Sequence, residues 1–148
     1  RILITAAFLS ILITGLWTWK YSFISIEDSK EAIRTLSEKV KPAVKENDTF
    51  LVYYGANTQF QYYFARYTDN AVTMGWNPGR SEEEFRTFVI ENMPQKGKRF
   101  WLVFSHYKPE EMEVMVSAAK SRGVLIEMFQ APGCRAFLFR GDTTKSRE

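Results

Sequence analysis

The stretch TFLVYYGANTQFQYYF, residues 49–64, sets the fold class. Thr49 to Tyr54 are apolar or aromatic at nearly every position, as in a strand covered by helices on both faces. Gly55-Ala56-Asn57 then breaks the run. Phe60, Tyr63, Phe64 and Tyr67 follow at i, i+3, i+4 and i+7, the spacing of one core-facing helix surface. That spacing accounts for the whole aromatic stripe, so it reads as core packing and not as a ligand box. A buried strand passing through a short break into a helix is the first half of a βαβ unit.

The same rhythm extends in both directions. Upstream, Asp28 with Glu31 gives a helix-start pattern, and Ile33, Leu36, Val40 and Val44 form an apolar stripe that Pro42 should end. Downstream, residues 71–74 read as a short second strand and GWNPGR (75–80) as a loop. Ser81 with Glu84 forms a capping-box pattern opening a helix to about Glu91, with Phe85, Phe88 and Val89 turned inward. RFWLVF (99–104) is a third strand, and Met112, Met115 and Ala119 mark a helix closed by Gly123. VLIEMF (124–129) and CRAFLFR (134–140) flank a Pro-Gly turn and read as a hairpin. The expected domain is a small layered α/β structure with a mostly parallel sheet. Right-handed crossovers favour strand order 2-1-3-4-5, the last strand antiparallel at the edge.

Ahead of this domain, Ile2 to Trp19 carry no charge. Eighteen helical residues span about 27 Å, close to the ~30 Å hydrocarbon core of a bilayer. Trp17, Trp19 and Tyr21 gather at one end with Lys20, an interfacial pattern. Lys20 to Phe23 offer no small-residue cleavage site, which disfavours a secretory signal. The reading divides the chain into a transmembrane helix (1–23), an α/β domain (24–140) and a disordered tail (141–148). A first residue other than Met suggests the tail of something longer.

Charge and composition narrow the chemistry. The net charge is +3, but without Arg1 and Lys20 there are 18 basic against 17 acidic residues, or +1. No basic stripe stands out, so nucleic acid is a poor partner. Cys134 is alone, which excludes an internal disulfide and paired-cysteine metal sites; a buried strand cysteine is the simpler reading. One His excludes a His-based metal cluster, and no cofactor is implied within these residues. Phosphate loops, nucleophile elbows and zinc-protease motifs are all absent. Glu82-Glu83-Glu84 and Glu110-Glu111 each fall in a first helical turn, where acids complement the helix dipole. Positive-inside counting gives no orientation, because the loop before Arg1 cannot be compared.

In open α/β sheets, ligands sit beyond the carboxyl ends of the strands where the order reverses. Here that crevice lies between the ends of the first and third strands. It would gather Tyr54, Gly55, Asn57, Ser105, His106 and Tyr107 as candidate ligand-binding residues. The plainer alternative makes Asn57 a helix cap and His106 a surface loop residue.

The order of features resembles the C-terminal region of polytopic GT-C-type glycosyltransferases, which use polyprenyl-phosphate sugars. The likeness rests on a membrane helix, EDSKEAIRTLSEKVKP, NDTFLVYYGANTQFQYYFARY, KRFWLVFSHYKPEE and GCRAFLFR, and covers nearly the whole chain. The protein O-mannosyltransferase-like and aminoarabinose-transferase-like groups are of this type. It implies an accessory extracytoplasmic domain at the cell membrane. Membrane lipid would be a partner, with lipid-linked sugar and acceptor engaged through an upstream membrane domain. Catalytic acids in such enzymes lie in an early loop without counterpart here, so no catalytic residue carries over. The alternative is a non-enzymatic single-pass membrane protein whose α/β domain binds a ligand or partner.

Overall fold

The computed structural model describes residues 32–64, 67–77, 79–94 and 96–142. Residues 32–40 are helical (α1). Then come β1 (Thr49–Val52), α2 (Asn57–Tyr63), β2 (Ala71–Thr73), α3 (Glu82–Asn92), β3 (Arg99–Ser105), α4 (Pro109–Arg122), β4 (Gly123–Ala131) and β5 (Cys134–Gly141). Short 3-10 turns at Lys41–Ala43 and Tyr54–Ala56 follow α1 and β1.

Local chemistry explains these elements. In α1, Ile33, Leu36 and Val40 are fully buried on one stripe, and Pro42 lies in the turn that ends it. Helix α3 starts on a complete capping box: Ser81 Oγ accepts from the Glu84 amide, and the Glu84 carboxylate accepts from the Ser81 amide. These bonds hold the Glu84 carboxyl below its usual pKa. Gly123 does not cap α4 in a left-handed conformation; its φ is −152° and it opens β4. Pro132 and Gly133 turn the last hairpin, with Gly133 in the left-handed conformation (φ 68°) that other side chains disfavour.

The sheet divides two apolar layers. On one face α1 and α2 cover Phe50, Val52, Trp101, Val103, Ala136 and Leu138. On the other α3 and α4 cover Leu51, Tyr53, Leu102, Phe104, Phe137 and Phe139. Phe50 stacks on Trp101 (5.7 Å between centroids, 7° between planes) and tilts against Phe60 at 5.4 Å. Truncating such a buried ring to alanine costs about 3–5 kcal/mol.

Strand order is β2-β1-β3-β5-β4, which corrects the expected 2-1-3-4-5. Strand β1 pairs in parallel with β2 and β3, whereas β5 is antiparallel to both β3 and β4. The sheet is therefore mixed. The α4 crossover carries the chain one position past β3, and the tight turn folds β5 back into the vacant slot. Burial shows why β5 fits there: Ala136 to Phe139 are buried on both faces, while most of β4 is exposed.

As an edge strand β4 displays Val124, Leu125, Ile126 and Met128. It is guarded by a register shift between Leu125 and Glu127, by the Glu127 charge, and by Lys39, whose ammonium donates to the Gln130 carbonyl (3.0 Å).

The expected membrane span, residues 2–19, lies outside the described residues, as does the expected tail from 143 on. Among the described residues no helix is long and apolar enough to cross a membrane. The fold class is accordingly corrected to a mixed α/β sheet without a membrane helix among its described elements. The expected cell-membrane placement is corrected to what the described residues show, an α/β domain in which no helix crosses a membrane.

Candidate functional site

The chain leaves β1 toward α2 on one face of the sheet and leaves β3 toward α4 on the other. A crevice is expected where adjacent strands part in this way. Gly55 decides its shape. A Cβ there would lie 2.6 Å from the Ser105 carbonyl oxygen and 2.9 Å from that of His106, so only glycine lets the two strand ends touch. The gap between β1 and β3 is thus closed by backbone, and the six expected residues fall into two groups on either side.

Toward α4, the Tyr53 and Tyr54 hydroxyls both donate to Glu111 Oε2 (2.5 and 3.0 Å), and Lys108 donates to Glu111 Oε1 (2.9 Å). Burial pushes the Glu111 carboxyl up, but the bonds from Tyr53, Lys108 and Tyr54 outweigh it and hold the group below its ordinary value. Burial, then the bond to that carboxylate, raises the Tyr53 phenol well above its usual range. Glu111 is charged with its lone pairs taken up, so it ties α4 to β1 and is a poor proton donor.

Toward the hairpin, His106 is the hub. Its φ of 50° is the one positive value among the described non-glycine residues. Ser105 Oγ lies 2.9 Å from its Nδ1, Gln59 Nε2 lies 3.4 Å from the same atom, and Cys134 Sγ lies 3.4 Å from Ser105 Oγ. Ser105 and Cys134 are fully buried while His106 is exposed. The cysteine thiol donates to Ser105 Oγ, which directs the serine proton to Nδ1. The amide nitrogen of Gln59 can likewise only donate there. In the tautomer in which Ser105 donates to Nδ1, the ring proton is on Nε2. Burial pushes the Cys134 thiol up, partly offset by Ser105, so it is not a thiolate.

Beside this relay is a cavity of about 370 Å³ between the end of β3 and the hairpin turn. Ser105, His106, Tyr107 and Cys134 line it together with Pro109, Pro132 and Gly133. Its size falls in the range of small-molecule pockets. Asn57 Oδ1 and Gln59 Oε1 are buried and have no hydrogen-bond partner. Asn57 does not cap α2, whose N-cap is Ala56 without a side-chain bond.

Of the expected residues, Ser105, His106 and Tyr107 share the cavity, Gly55 presses on their backbone, and Tyr54 turns away to Glu111. Sequence reasoning missed Gln59, Cys134 and the proline walls. The hairpin residues reach His106 only because β5 lies beside β3, which no local pattern encodes. A hydrolytic triad does not form: the Ser105 hydroxyl is buried against Nδ1, and no carboxylate orients the imidazole among the described residues.

The other end of the strands holds a larger cavity, about 720 Å³, lined by Lys45, Asn47, Asn70, Lys98 and Arg99 beside Asp48. Its chemistry is structural. Asp48 is 2 % exposed, and its Oδ2 accepts from the Lys45 amide, Arg99 Nη2 and Trp101 Nε1 (3.0, 2.9 and 2.8 Å). Among the described residues no three His, Cys, Asp or Glu side chains converge as a metal site would need.

Compared with known proteins, this chain matches no family model and no curated protein. The expected kinship with polytopic glycosyltransferases is corrected on that ground, together with the absence of a membrane-crossing helix among the described residues. The single-pass membrane reading likewise finds no membrane-crossing helix among the described residues, which form a small α/β domain with a formed pocket at its C-terminal strand edge.

Proposed function

We propose that this domain is a ligand-binding module whose site is the His106 pocket at the carboxyl end of β3. The observation that supports it best is the backbone of His106. A left-handed non-glycine residue costs on the order of 1–2 kcal/mol and persists where the surroundings over-determine it, which is typical of binding sites. Here it stands at the mouth of a cavity with its side chain exposed and Nδ1 held by Ser105 and Gln59. Buried Ser105 and Cys134 supply the relay, and Gly55 packs the backbone behind it. Binding and orientation fit this arrangement better than catalysis, since the Ser105 hydroxyl is engaged at His106 Nδ1 and burial keeps the Cys134 thiol protonated.

The reading is tested by screening a fragment library against the ¹⁵N-labelled full chain by NMR. Hits should cluster on the amides of Ser105 to Tyr107 and of Gly133 and Cys134, and His106→Ala should abolish their saturation while leaving the remaining spectrum folded. Hits confined to the Lys45–Arg99 cavity at the opposite end would overturn it.

A further inference from the structure

We infer that this pocket takes a small anion with a flat apolar body, an aryl carboxylate being the simplest case, its charge received by His106 and Arg135. The inference rests on the ligand-binding reading above and names the chemistry of the occupant. The donor relay comes first. With Nδ1 accepting from Ser105, the nearer of its two neighbours at 2.9 Å, the imidazole presents an N–H at Nε2, which suits a ligand that brings an acceptor.

The charge around the cavity gives the acceptor its sign. None of the residues lining it is acidic. Arg135 sits over the ring of Tyr107, which does line the cavity, at 5.9 Å. No carboxylate pairs with Arg135 among the described residues, whereas Glu111 is taken up by Lys108 and the two tyrosines. Arg135 is not itself a lining residue, but its charge behind Tyr107 disfavours a cation in the cavity and favours an anion over a neutral ligand. An anion answers both donors.

The walls give the body its shape. Pro109 and Pro132 present rigid rings, and Gly133 between them and Cys134 adds no side chain. At ~30 Å³ per water, about 370 Å³ corresponds to roughly a dozen waters. That is room for one aromatic ring with a carboxylate, held at little cost in ordering the walls.

The experiment titrates the ¹⁵N-labelled full chain with sodium benzoate, benzamide and benzylamine at matched ionic strength, to about 10 mM, beyond a millimolar Kd. Benzoate should shift the amides of Ser105 to Tyr107 and Gly133 saturably and bind about tenfold tighter than benzamide. Arg135→Gln should weaken benzoate roughly fivefold and leave benzamide unchanged, as loss of a partly exposed charge contact predicts. Benzamide or benzylamine binding here as tightly as benzoate would overturn the anion inference while the pocket reading stands. Fragment hits at these amides with none of the three probes among them would do the same. No shift there from any probe or fragment would remove both.

Discussion

The two ends of the parallel strands treat polar residues in opposite ways. At the amino end Asp48 is buried, and one carboxylate oxygen takes a backbone amide, a guanidinium and an indole N–H. At the carboxyl end His106 is exposed in a strained backbone, and two neighbouring amide oxygens, on Asn57 and Gln59, are left without partners. The first end has spent most of its hydrogen-bonding capacity on holding the fold together, with Arg99 Nε the one buried atom there left without a partner among the described residues. The second keeps capacity in reserve, which is what recognition needs. The larger cavity is therefore not the better site candidate.

Asp48 is the sharpest way to break this contrast. Asp48→Ala leaves the Trp101 N–H without its acceptor and the Arg99 guanidinium with only the Ala43 carbonyl, and should cost about 3 kcal/mol in urea unfolding. A loss under about 1 kcal/mol would mean that the amino end is no more committed to stability than the other. Tyr53→Phe comes next, at about 1.5–2 kcal/mol, because it removes a buried donor to a charged carboxylate.

The Glu111 cluster also has a pH signature. Its carboxyl is depressed in the folded state, so its contribution is complete above the unfolded value near 4.3 and is lost as pH falls through the folded value. Tyr53 is raised, so its contribution is complete below about 10 and is lost as pH rises beyond that. The stability difference between the protein and Glu111→Gln should therefore be flat near neutrality and shrink below about pH 4.3. A difference that grows on acidification would reverse the assigned sign.

The smallest effect is the most diagnostic. His106→Gly relieves the left-handed strain and should stabilise the protein by up to about 1 kcal/mol while abolishing binding in the pocket. Destabilisation by more than that would make His106 a structural residue and erase the contrast between the ends.

Local features were legible in the sequence because their causes are local. The stripe Ile33, Leu36, Val40 and the Ser81–Glu84 capping box follow from spacing alone, and both stand in the structure. The placing of Tyr54 and His106 at strand ends followed from where apolar runs stop. Strand order was not legible. VLIEMF in β4 and AFLF in β5 are equally apolar, yet only β5 is buried on both faces. The choice between them is made by the crossover and the turn, over a long range.

Half the pocket wall went unseen for the same reason, since Pro132, Gly133 and Cys134 meet His106 only across the β3–β5 pairing. Gly55 misled differently: a break after a strand reads as an opening, but the 2.6 Å approach shows a closure. The glycosyltransferase likeness rested on the order of generic features, an apolar run and then alternating strands and helices, with no residue set specific to that chemistry.

The position of β5 bears on how the molecule is made. It is the last of the described strands to be synthesised, yet it stands between β3 and β4. Until residues 134–141 have left the ribosome, β3 has one open edge, and Phe100, Trp101 and Leu102 lack the neighbours they meet across it. At about 5–20 residues per second, that exposed interval lasts for the whole time taken to translate α4 and the hairpin. The nascent chain cannot settle strand by strand, and a chain stopped before Cys134 would lack an interior strand of the sheet, with β4 having no partner to hold it.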